Sequence, residues 1–374
     1  MRILQVVTRL GLGGAERVAE TLASKMVADG NEVNFAAVAA SRDMAIANEM
    51  RANLEQAGVG VIDGGSVASA RIAVLGAAGR LADAVERLRP DLVHLHTEIP
   101  EFAWALAGLR SNLVRRLPVV RTVHNTVLWG GWRRAGRFAE NRLQGARVAA
   151  VSVAASDAFT AWRAETGRPA NGTVVIYNGV DLAGLAPGPR EPVEPPLLCF
   201  AGRYERQKGI DVLLDALALM TDDHQPFRVA IHGSGALEPL VVEAAKLAPD
   251  RIAVGPPIVD LRSRLASFDA ILLPSRFEGL SLLALEALCT GVPIVATSAA
   301  GPAEAIPDWY PGRCPPGDPV AYAGVINDFL ENRGTWREQA LRARGEARRR
   351  FSLDTMVAAY ERFYAVALEG AHAV

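Results

Sequence analysis

The stretch LLPSRFEGLSLLALEAL, residues 272–288, predicts a strand, a short polar loop and a helix in that order. The apolar strand 270–273 ends at Pro274, and the polar residues 275–279 form the loop. The next segment, 280–289, is apolar on nearly every helical face, which is typical of a buried helix. A strand joined to a helix by a short loop is the unit of parallel α/β sheets. The stretch therefore predicts an α/β fold.

Two carboxylates accompany the predicted helix. Glu278 lies just before it, where backbone N–H groups lack partners and can bind hydroxyl or phosphate oxygens. Glu286 lies about two turns along it, and a carboxylate among Leu and Ala is costly unless something pairs with it. Both acids are expected near the C-terminal edge of the sheet, where open α/β sheets bind ligands. The alternative is structural: Glu278 caps the helix, and Glu286 is a core acid bonded to nearby backbone.

The same order of elements recurs along the chain. Strand 2–7, helix 15–29 and strand 33–39 predict a βαβ unit with parallel strands. The pattern starts again at strand 197–201, and it leads into the stretch quoted above. Two successive α/β domains are therefore expected, which is the usual number for a chain of 374 residues.

The domain boundary is predicted from proline. Residues 184–196, GLAPGPREPVEPP, hold five prolines and cannot continue a helix or a central strand. We interpret them as a linker between an N-terminal domain, 1–183, and a C-terminal domain, 197–352. A final helix, about 353–374, is expected to pack back on the first domain. The fold class is thus two Rossmann-like parallel-sheet domains facing a cleft.

The glycine-rich turn 11–16, GLGGAE, does not fit a dinucleotide-binding fingerprint. That motif needs a third glycine where Glu16 stands, and an acid near the helix start would repel a pyrophosphate. Gly13 and Gly14 instead predict that a ligand approaches the backbone closely. A tight turn without a ligand is the alternative.

Composition excludes several classes of protein. The net charge of −1 argues against a general nucleic-acid binder. Three widely spaced cysteines, Cys199, Cys289 and Cys314, predict neither a disulfide framework nor a zinc site and favour a reducing compartment. The first residues run directly into a strand without a cleavage site, and no long uncharged apolar stretch occurs. A cytoplasmic location is therefore expected.

Two cations mark a second candidate site in the C-terminal half. Arg203 and Lys208 lie in the loop between a strand and a helix N-terminus. An arginine, a lysine and helix amides together can bind a diphosphate without a metal ion. The alternative is a solvated loop that carries chance charges. No Asp-x-Asp motif occurs, and Asp222 and Asp223 are predicted to lie in a surface loop, so no metal or cofactor is expected.

Taken in order, the motifs resemble one family. Three motifs in the C-terminal half are similar to those of this family. They are Gly202-Arg203 with Lys208-Gly209, the pair Glu278 and Glu286 as E-x₇-E, and the segment GVPIVA that begins at Gly291. The turn GLGGAE, the segment Val123-His124-Asn125 and the segment IYNGVD, 176–181, are similar to its N-terminal elements. Together they resemble the retaining family-four glycosyltransferases (glycosyl transferases group 1) of GT-B fold, over about residues 1–310.

The resemblance implies a role for each matching residue. Arg203 and Lys208 would bind the diphosphate of a nucleotide-sugar donor and stabilise it as it leaves. Glu278 would bind hydroxyls of the transferred sugar, His124 would lie near its 6-position, and Glu286 would hold the ribose hydroxyls. The amides of Leu280, Ser281 and Leu282 would contact phosphate or sugar oxygens, and Gly13 and Gly14 would contact the phosphate or the acceptor. Asn178 would line the cleft. Residues His232 to Gly235, which include Gly233, would border the nucleotide.

The family also implies a mechanism: attack on the front face of the sugar, with retention, and transfer of the acceptor proton to the leaving diphosphate. UDP is the most frequent nucleotide in such enzymes. One departure is Pro302, which stands after Gly301 where the family often has a second glycine and removes a backbone donor. Two other readings stay open: a nucleotide-sugar epimerase or hydrolase of GT-B fold, and a non-catalytic protein that binds nucleotide sugars.

The acceptor is less constrained: a glycan, a lipid-linked molecule or a small molecule. Residues 104–147 carry nine arginines against the single acid Glu140, with Trp104, Trp129 and Trp132 interleaved. Such a surface fits an anionic membrane leaflet with a lipid-linked acceptor, or an anionic acceptor directly. A solvated helix face with core tryptophans is the alternative.

Overall fold

The computed structural model describes the chain except residues 12, 42, 68, 169–171, 186, 187, 189–193, 221–224, 373 and 374, and except the side chains of 371 and 372. The described chain divides into two compact units. Unit 1 comprises residues 1–178 and 356–374, and unit 2 comprises residues 179–355. The predicted linker 184–196 lies in large part outside the described residues, as do Asp222 and Asp223.

Unit 1 is built on one parallel sheet of seven strands. Its strands, in chain order, are β1 (Arg2–Val7), β2 (Glu32–Ala37), β3 (Gly60–Ile62), β4 (Leu92–His96), β5 (Val119–Val123), β6 (Arg147–Ala150) and β7 (Val174–Val175). The order across the sheet is β3-β2-β1-β4-β5-β6-β7, so the winding reverses between β1 and β4. Ligands of open α/β sheets bind at such a switch point, beyond the carboxyl ends of the strands.

Helices cover the sheet of unit 1. They are α1 (Gly14–Ala28), α2 (Met44–Gln56), α3 (Ala70–Leu88), α4 (Glu98–Arg110), α5 (Asn112–Arg116), α6 (Arg133–Arg142) and α7 (Val153–Glu165). The central strands are buried along their whole length: every residue of β4 is buried, as is all of β1 except its first residue. Burial on both faces explains why these strands are apolar runs without alternation.

Unit 2 repeats the design with six parallel strands. They are β8 (Leu197–Arg203), β9 (Arg228–Ser234), β10 (Ile252–Gly255), β11 (Ala270–Leu273), β12 (Ile294–Thr297) and β13 (Arg313–Cys314). The order is β10-β9-β8-β11-β12-β13, so the winding reverses between β8 and β11. The helices are α8 (Ile210–Leu219), α9 (Glu238–Leu247), α10 (Leu261–Arg264), α11 (Leu282–Thr290), α12 (Ala300–Ala305), α13 (Pro319–Glu331) and α14 (Arg333–Arg350).

The last helix, α15 (Leu353–His372), belongs to unit 1 from Met356 onward. Its Tyr364 hydroxyl lies 2.6 Å from Nδ1 of His94 in β4, and its Tyr360 hydroxyl lies 3.0 Å from the Thr122 hydroxyl in β5. All four side chains are buried, so these hydrogen bonds satisfy polar groups that would otherwise be costly. They fix the end of the chain to the sheet of unit 1.

Several elements differ from the sequence-based expectation. The sequence pattern predicts a helix from Phe102 and a strand over residues 148–153, whereas helix α4 begins at Glu98 and strand β6 ends at Ala150. The pattern predicts none of helices α2, α5, α6, α7, α12 and α13, and neither of strands β3 and β13. None of the helices in the described residues reaches both the length and the hydropathy that crossing a lipid bilayer requires.

The three cysteines are buried free thiols, and burial raises the pKa of Cys199 and Cys289 to about 12.

Candidate active site

The loops that follow β8 and β11 lie side by side at the switch point of unit 2. Gly209, in the first loop, has φ 68°, and a Cβ built on it would lie 1.9 Å from the carbonyl oxygen of Pro274 in the second. Only glycine fits this conformation and this approach. The backbone amide of Arg276 donates to the carbonyl of Gln207, 2.9 Å away, and joins the loops again. The two predicted binding segments are therefore neighbours.

Lys208 and Glu278 meet across these loops. Lys208 Nζ donates to Glu278 Oε2 at 2.7 Å, and the Ser275 hydroxyl donates to the other carboxylate oxygen. The Glu278 side chain is 6% exposed and that of Lys208 is 25% exposed. A carboxylate this buried needs the two donors to offset its lost hydration. Thr297, at the end of β12, donates to the Ser275 carbonyl at 2.5 Å and supports the loop.

Arg203 occupies the end of β8 and remains accessible. Its guanidinium lies 3.1 Å from the Glu205 carboxylate and 3.1 Å from the Gln207 amide oxygen, and its side chain is 57% exposed. An ion pair this exposed contributes little to stability, so the guanidinium can turn to an anionic ligand at low cost. Gln207 in turn donates to the Phe277 carbonyl at 3.3 Å, which links Arg203 to the Glu278 loop.

The N-terminus of α11 completes this side of the site. The hydroxyl of Ser281, the N-cap residue, accepts from the Ala284 amide at 3.4 Å. The amides of the first turn, from Leu282 on, have no acceptor within the helix, and nine residues give the helix a usable dipole. Leu280 is 7% exposed and anchors the approach to the helix. Pro302 is the third residue of α12, where a missing N–H interrupts no helical hydrogen bond.

The second acid of the E-x₇-E pair lies closer to the helix start than expected. Because α11 begins at Leu282, Glu286 is its fifth residue, little more than one turn in. It is also partly exposed, whereas Glu278 is buried. Glu286 is therefore not fully buried, and its role in binding stays a prediction.

A pocket of about 580 Å³ opens beside β9 and β10. It is lined by His232, residues 256–260, Ser263 and Arg264. His232 Nδ1 lies 3.0 Å from the Pro256 carbonyl oxygen, which sets the ring against the pocket wall. Gly233 lets β9 approach β8: a Cβ there would lie 1.9 Å from the Gly202 carbonyl oxygen. The structure thus gives Gly233 a packing role next to the pocket.

In unit 1 the glycine turn leads into α1. Gly13 is the N-cap of this helix and Gly14 is its first residue. A Cβ built on Gly14 would have no heavy atom of the described residues within 4 Å, apart from its own neighbours. No protein packing in the described structure therefore requires glycine at position 14. The space beside Gly14 is open to a ligand.

Three histidines lie close together in unit 1: His94 in the middle of β4, His96 at its end and His124 directly after β5. His96 Nδ1 lies 3.1 Å from His124 Nε2, and the rings of His94 and His96 stack with centroids 3.9 Å apart. His94 and His96 are fully buried and His124 is partly buried, and burial lowers the pKa of all three. The rings are neutral at pH 7. No group of three or more His, Cys, Asp or Glu in the described residues is arranged to hold a metal ion.

Part of the basic segment 104–147 is buried, although the segment was predicted to form a binding surface. Arg121 is buried and binds both Glu101, at 2.6 and 2.9 Å, and Glu140, at 2.6 Å, while Glu140 also accepts from Arg163 at 2.9 Å. Trp104 and Trp129 are each 3% exposed and belong to the core. These three residues cannot form a binding surface. The other eight arginines are exposed, at positions 110, 115, 116, 133, 134, 137, 142 and 147.

Sequence reasoning missed Ser275, Thr297 and His96 as parts of the site. Ser275 and Thr297 carry no signal of their own, because their roles depend on which loops become neighbours. His96 carries no signal in the sequence either, because its partner His124 lies 28 positions away. Asn178 is buried and is the last residue of the first segment of unit 1.

Fold and site together define a protein of two parallel-sheet α/β units in which a loop with Arg203 and Lys208 lies at the switch point of the second sheet. Comparison with known proteins identifies the family. The model of the family "Glycosyltransferase Family 4" matches residues 12–183, and that of "Glycosyl transferases group 1" matches residues 195–332. The chain is 32% identical over 310 residues to D-inositol 3-phosphate glycosyltransferase of Xylanimonas cellulosilytica, covering 74% of this chain and 72% of that one. The chain therefore belongs to the glycosyltransferases of family 4, also called glycosyl transferases group 1.

The chain is also similar to a second curated relative and to a solved structure. Glycogen synthase of Mycobacterium tuberculosis is 28% identical over 300 residues, which is 75% of this chain and 70% of that protein. The crystal structure of Anabaena Alr3699/HepE in complex with UDP-glucose superposes with a TM-score of 0.77 at 21% identity, covering 98% of this chain and all of that chain. The predicted fold class, GT-B with two Rossmann-like parallel-sheet domains, is confirmed. The protein is a glycosyltransferase.

Proposed function

We propose that this glycosyltransferase moves a sugar from a nucleotide-diphosphate sugar to a hydroxyl acceptor with retention of configuration and without a metal ion. The observation that carries the proposal is the junction of two loops at the β8/β11 switch point. There Lys208 meets the buried Glu278, and Arg203 is held nearby through Gln207. Cations for a diphosphate and an acceptor for sugar hydroxyls thus lie on adjacent loops.

Arg203 and Lys208 bind the donor diphosphate, and the first-turn amides of α11 add a helix N-terminus to the same site. Glu278 accepts hydrogen bonds from the sugar, since Ser275 holds its carboxylate in place. Glu286 binds the ribose hydroxyls. The 580 Å³ pocket beside His232 takes the base, and UDP is supported by the UDP-glucose complex of the structural neighbour.

The reaction follows from these positions. The acceptor oxygen attacks C1 of the sugar from the face that the diphosphate leaves, and the C1–O bond to the diphosphate breaks. A diphosphate oxygen takes the acceptor proton. Arg203 and Lys208 stabilise the charge that develops on the leaving group, which is the role a metal ion plays in other transferases.

An epimerase or hydrolase of the same fold is the competing function. It would use the same donor site but release the sugar, or its isomer, without an acceptor. The names of the relatives favour transfer, since D-inositol 3-phosphate glycosyltransferase and glycogen synthase both describe transferases. Incubation with UDP-glucose alone separates the two: a transferase leaves most of the donor intact, and a hydrolase consumes it.

The eight exposed arginines of 104–147, named here the basic surface, support an anionic acceptor environment. Leu109, at the end of α4, is 51% exposed among them. We propose that this surface binds an anionic lipid leaflet. Each arginine near such a surface contributes about 1 kcal/mol. Replacing Arg134 and Arg137 by Gln should therefore weaken sedimentation with anionic vesicles about 30-fold at low salt.

The matched control for that experiment replaces two exposed cations of unit 2, Lys246 and Arg349, by Gln. It should leave vesicle binding nearly unchanged, because net charge changes equally in both variants. Equal weakening in the two variants would mean that net charge alone is responsible. Absence of wild-type binding at low salt would exclude the membrane proposal.

The transfer reaction itself is tested by product analysis with EDTA present. We expect NMR of the product from a UDP-α-sugar to show the α-anomer. The variant Lys208→Ala should lose most of the rate, and Arg206→Ala, in the same loop with an 80% exposed side chain, should not. A β-product, or a rate that depends on added metal, would contradict the proposal.

A further inference from the structure

His124 does not stand alone at the end of β5. Its Nε2 lies 3.1 Å from Nδ1 of His96, which is fully buried at the end of β4. The two atoms are at hydrogen-bonding distance, so one of them carries a hydrogen and the other accepts it. Both rings are neutral in this environment, because burial disfavours their charged forms. The pair therefore has two possible arrangements of hydrogen.

In one arrangement His124 donates from Nε2, and His96 must then carry its own hydrogen on Nε2. His96 Nε2 is buried and has no hydrogen-bond partner among the described residues. This arrangement would bury an N–H group without an acceptor, which folded proteins rarely do. In the other arrangement His96 donates from Nδ1, and no N–H is buried unpaired.

The outer side of His124 then has a fixed character. With Nε2 accepting, a neutral His124 carries its hydrogen on Nδ1. Nδ1 of His124 has no hydrogen-bond partner among the described residues, and it is not one of the buried polar atoms that lack a partner. It is the atom that a ligand can reach, and it presents a donor rather than a lone pair.

We propose that His96 is a positioning residue that holds His124 in the tautomer with hydrogen on Nδ1, so that His124 donates a hydrogen bond to a hydroxyl oxygen of the transferred sugar. This inference rests on the proposed role of His124 as a sugar ligand. It excludes His124 as a general base, because the accessible nitrogen has no free lone pair. The ring of His94 packs against that of His96, with centroids 3.9 Å apart and planes tilted by 33°.

His94 itself does not impose a tautomer. Its two nitrogens face the hydroxyls of Tyr364 and Thr122, at 2.6 and 2.7 Å, and a hydroxyl can either donate or accept. The direction of the His96–His124 bond is therefore set by His96 alone. This difference supplies a matched control in the same buried cluster.

The first readout is the ¹⁵N spectrum of histidine-labelled full-length protein at pH 7. We expect His124 to show a protonated Nδ1 and a bare Nε2. The variant His96→Leu should shift His124 toward the opposite tautomer or a mixture. The variant His96→Asn, whose side-chain amide can donate from nearly the same place as Nδ1, should keep the wild-type pattern. A protonated Nε2 on His124 in the wild type would overturn the proposal.

The second readout is turnover with UDP-glucose. His96→Leu should lower kcat about 10- to 100-fold, the usual effect of losing a residue that orients a ligand-binding side chain. His96→Asn should restore most of it, and Tyr364→Phe, which removes a partner of His94, should change neither tautomer nor kcat. An active wild type with unaffected His96→Leu would overturn the proposal. A wild type that neither binds nor turns over donors would instead overturn the proposed function, and the tautomer would still be decided by the spectrum.

Discussion

Lys208 Nζ lies 2.7 Å from Glu278 Oε2, so two side chains assigned to different parts of the donor are already paired with each other. Lys208 follows β8 and Glu278 follows β11, the two strands at the switch point of unit 2. A diphosphate that draws Lys208 away must leave Glu278 another partner, and sugar hydroxyls supply one. If Lys208 and Glu278 bind the donor as proposed, the pair would couple binding of the diphosphate to binding of the sugar.

The first prediction separates the pair's effect on stability from its effect on activity. Lys208→Met leaves the buried Glu278 with only the Ser275 hydroxyl, so the free energy of unfolding should fall by about 1–3 kcal/mol. Adding Glu278→Gln should recover most of that loss, since no charge is then buried unpaired. Both variants should lack transfer activity. Urea denaturation and a transfer assay measure the two effects, and a double variant no more stable than Lys208→Met would contradict the account.

The second prediction contrasts two glycines. Gly14→Ala should keep or slightly raise the melting temperature, because its Cβ meets no described neighbour and alanine favours helices. It should nevertheless reduce transfer, since the Cβ enters the space proposed for phosphate or acceptor. Gly209→Ala should destabilise unit 2 by about 3 kcal/mol or more, through positive φ and a backbone clash.

Calorimetry of both glycine variants, with a transfer assay on each, provides the measurement. A stable Gly14→Ala protein with full activity would remove Gly14 from the binding site. A Gly209→Ala protein as stable as the wild type would contradict the close approach of the two loops in unit 2.

The third prediction concerns Arg121, the buried centre of the ion network in unit 1. Arg121→Met leaves Glu101 and Glu140 buried without their main partner and should cost about 3–5 kcal/mol. Arg133→Met, whose side chain is 54% exposed and paired with Glu165, should cost less than about 1 kcal/mol. Comparable losses in the two variants, measured by chemical denaturation, would contradict the burial of Arg121.

The fourth prediction is a pH dependence. Burial lowers the pKa of His94 and His96, so below pH 6.5 the unfolded chain takes up protons that the folded chain does not. Stability therefore falls as the pH falls below 6.5, by about 1.4 kcal/mol per pH unit for each histidine. The change in stability between pH 6.5 and 5.5 should be smaller for His96→Asn than for the wild type. Equal changes would mean that His96 titrates normally in the folded protein.

Much of the fold was predictable because both sheets are buried on both faces. Strands β1 and β11 were predicted at their observed bounds, 2–7 and 270–273, because apolar residues predominate in each. Helix α5 was not predicted because it has only five residues, and helix α6 was not predicted because six of its ten residues are Arg, Glu or Asn, so neither contains an apolar run. Short strands such as β13 exist only through pairing with a neighbour.

The proximity of the candidate site residues was predictable from strand ends. Arg203 ends β8, Lys208 follows β8 and Glu278 follows β11, and these two strands are adjacent in the sheet. Burial was not predictable: Glu278 was expected at an accessible helix start and is buried, while Glu286 is partly exposed. Charge counting likewise placed Arg121 on the surface, because a count does not show that Arg121 pairs with Glu140 inside the counted segment and with Glu101 just outside it.

The most direct test of the account is a thermal-shift measurement with a panel of nucleotides and nucleotide sugars, in EDTA, on the wild type and Glu286→Ala. One diphosphate nucleotide should stabilise the wild type, by about 2.7 kcal/mol at 100 times its dissociation constant, and the variant should lose that gain. A shift that survives in Glu286→Ala would contradict the assigned ribose contact. No shift with any nucleotide would contradict the proposed donor site.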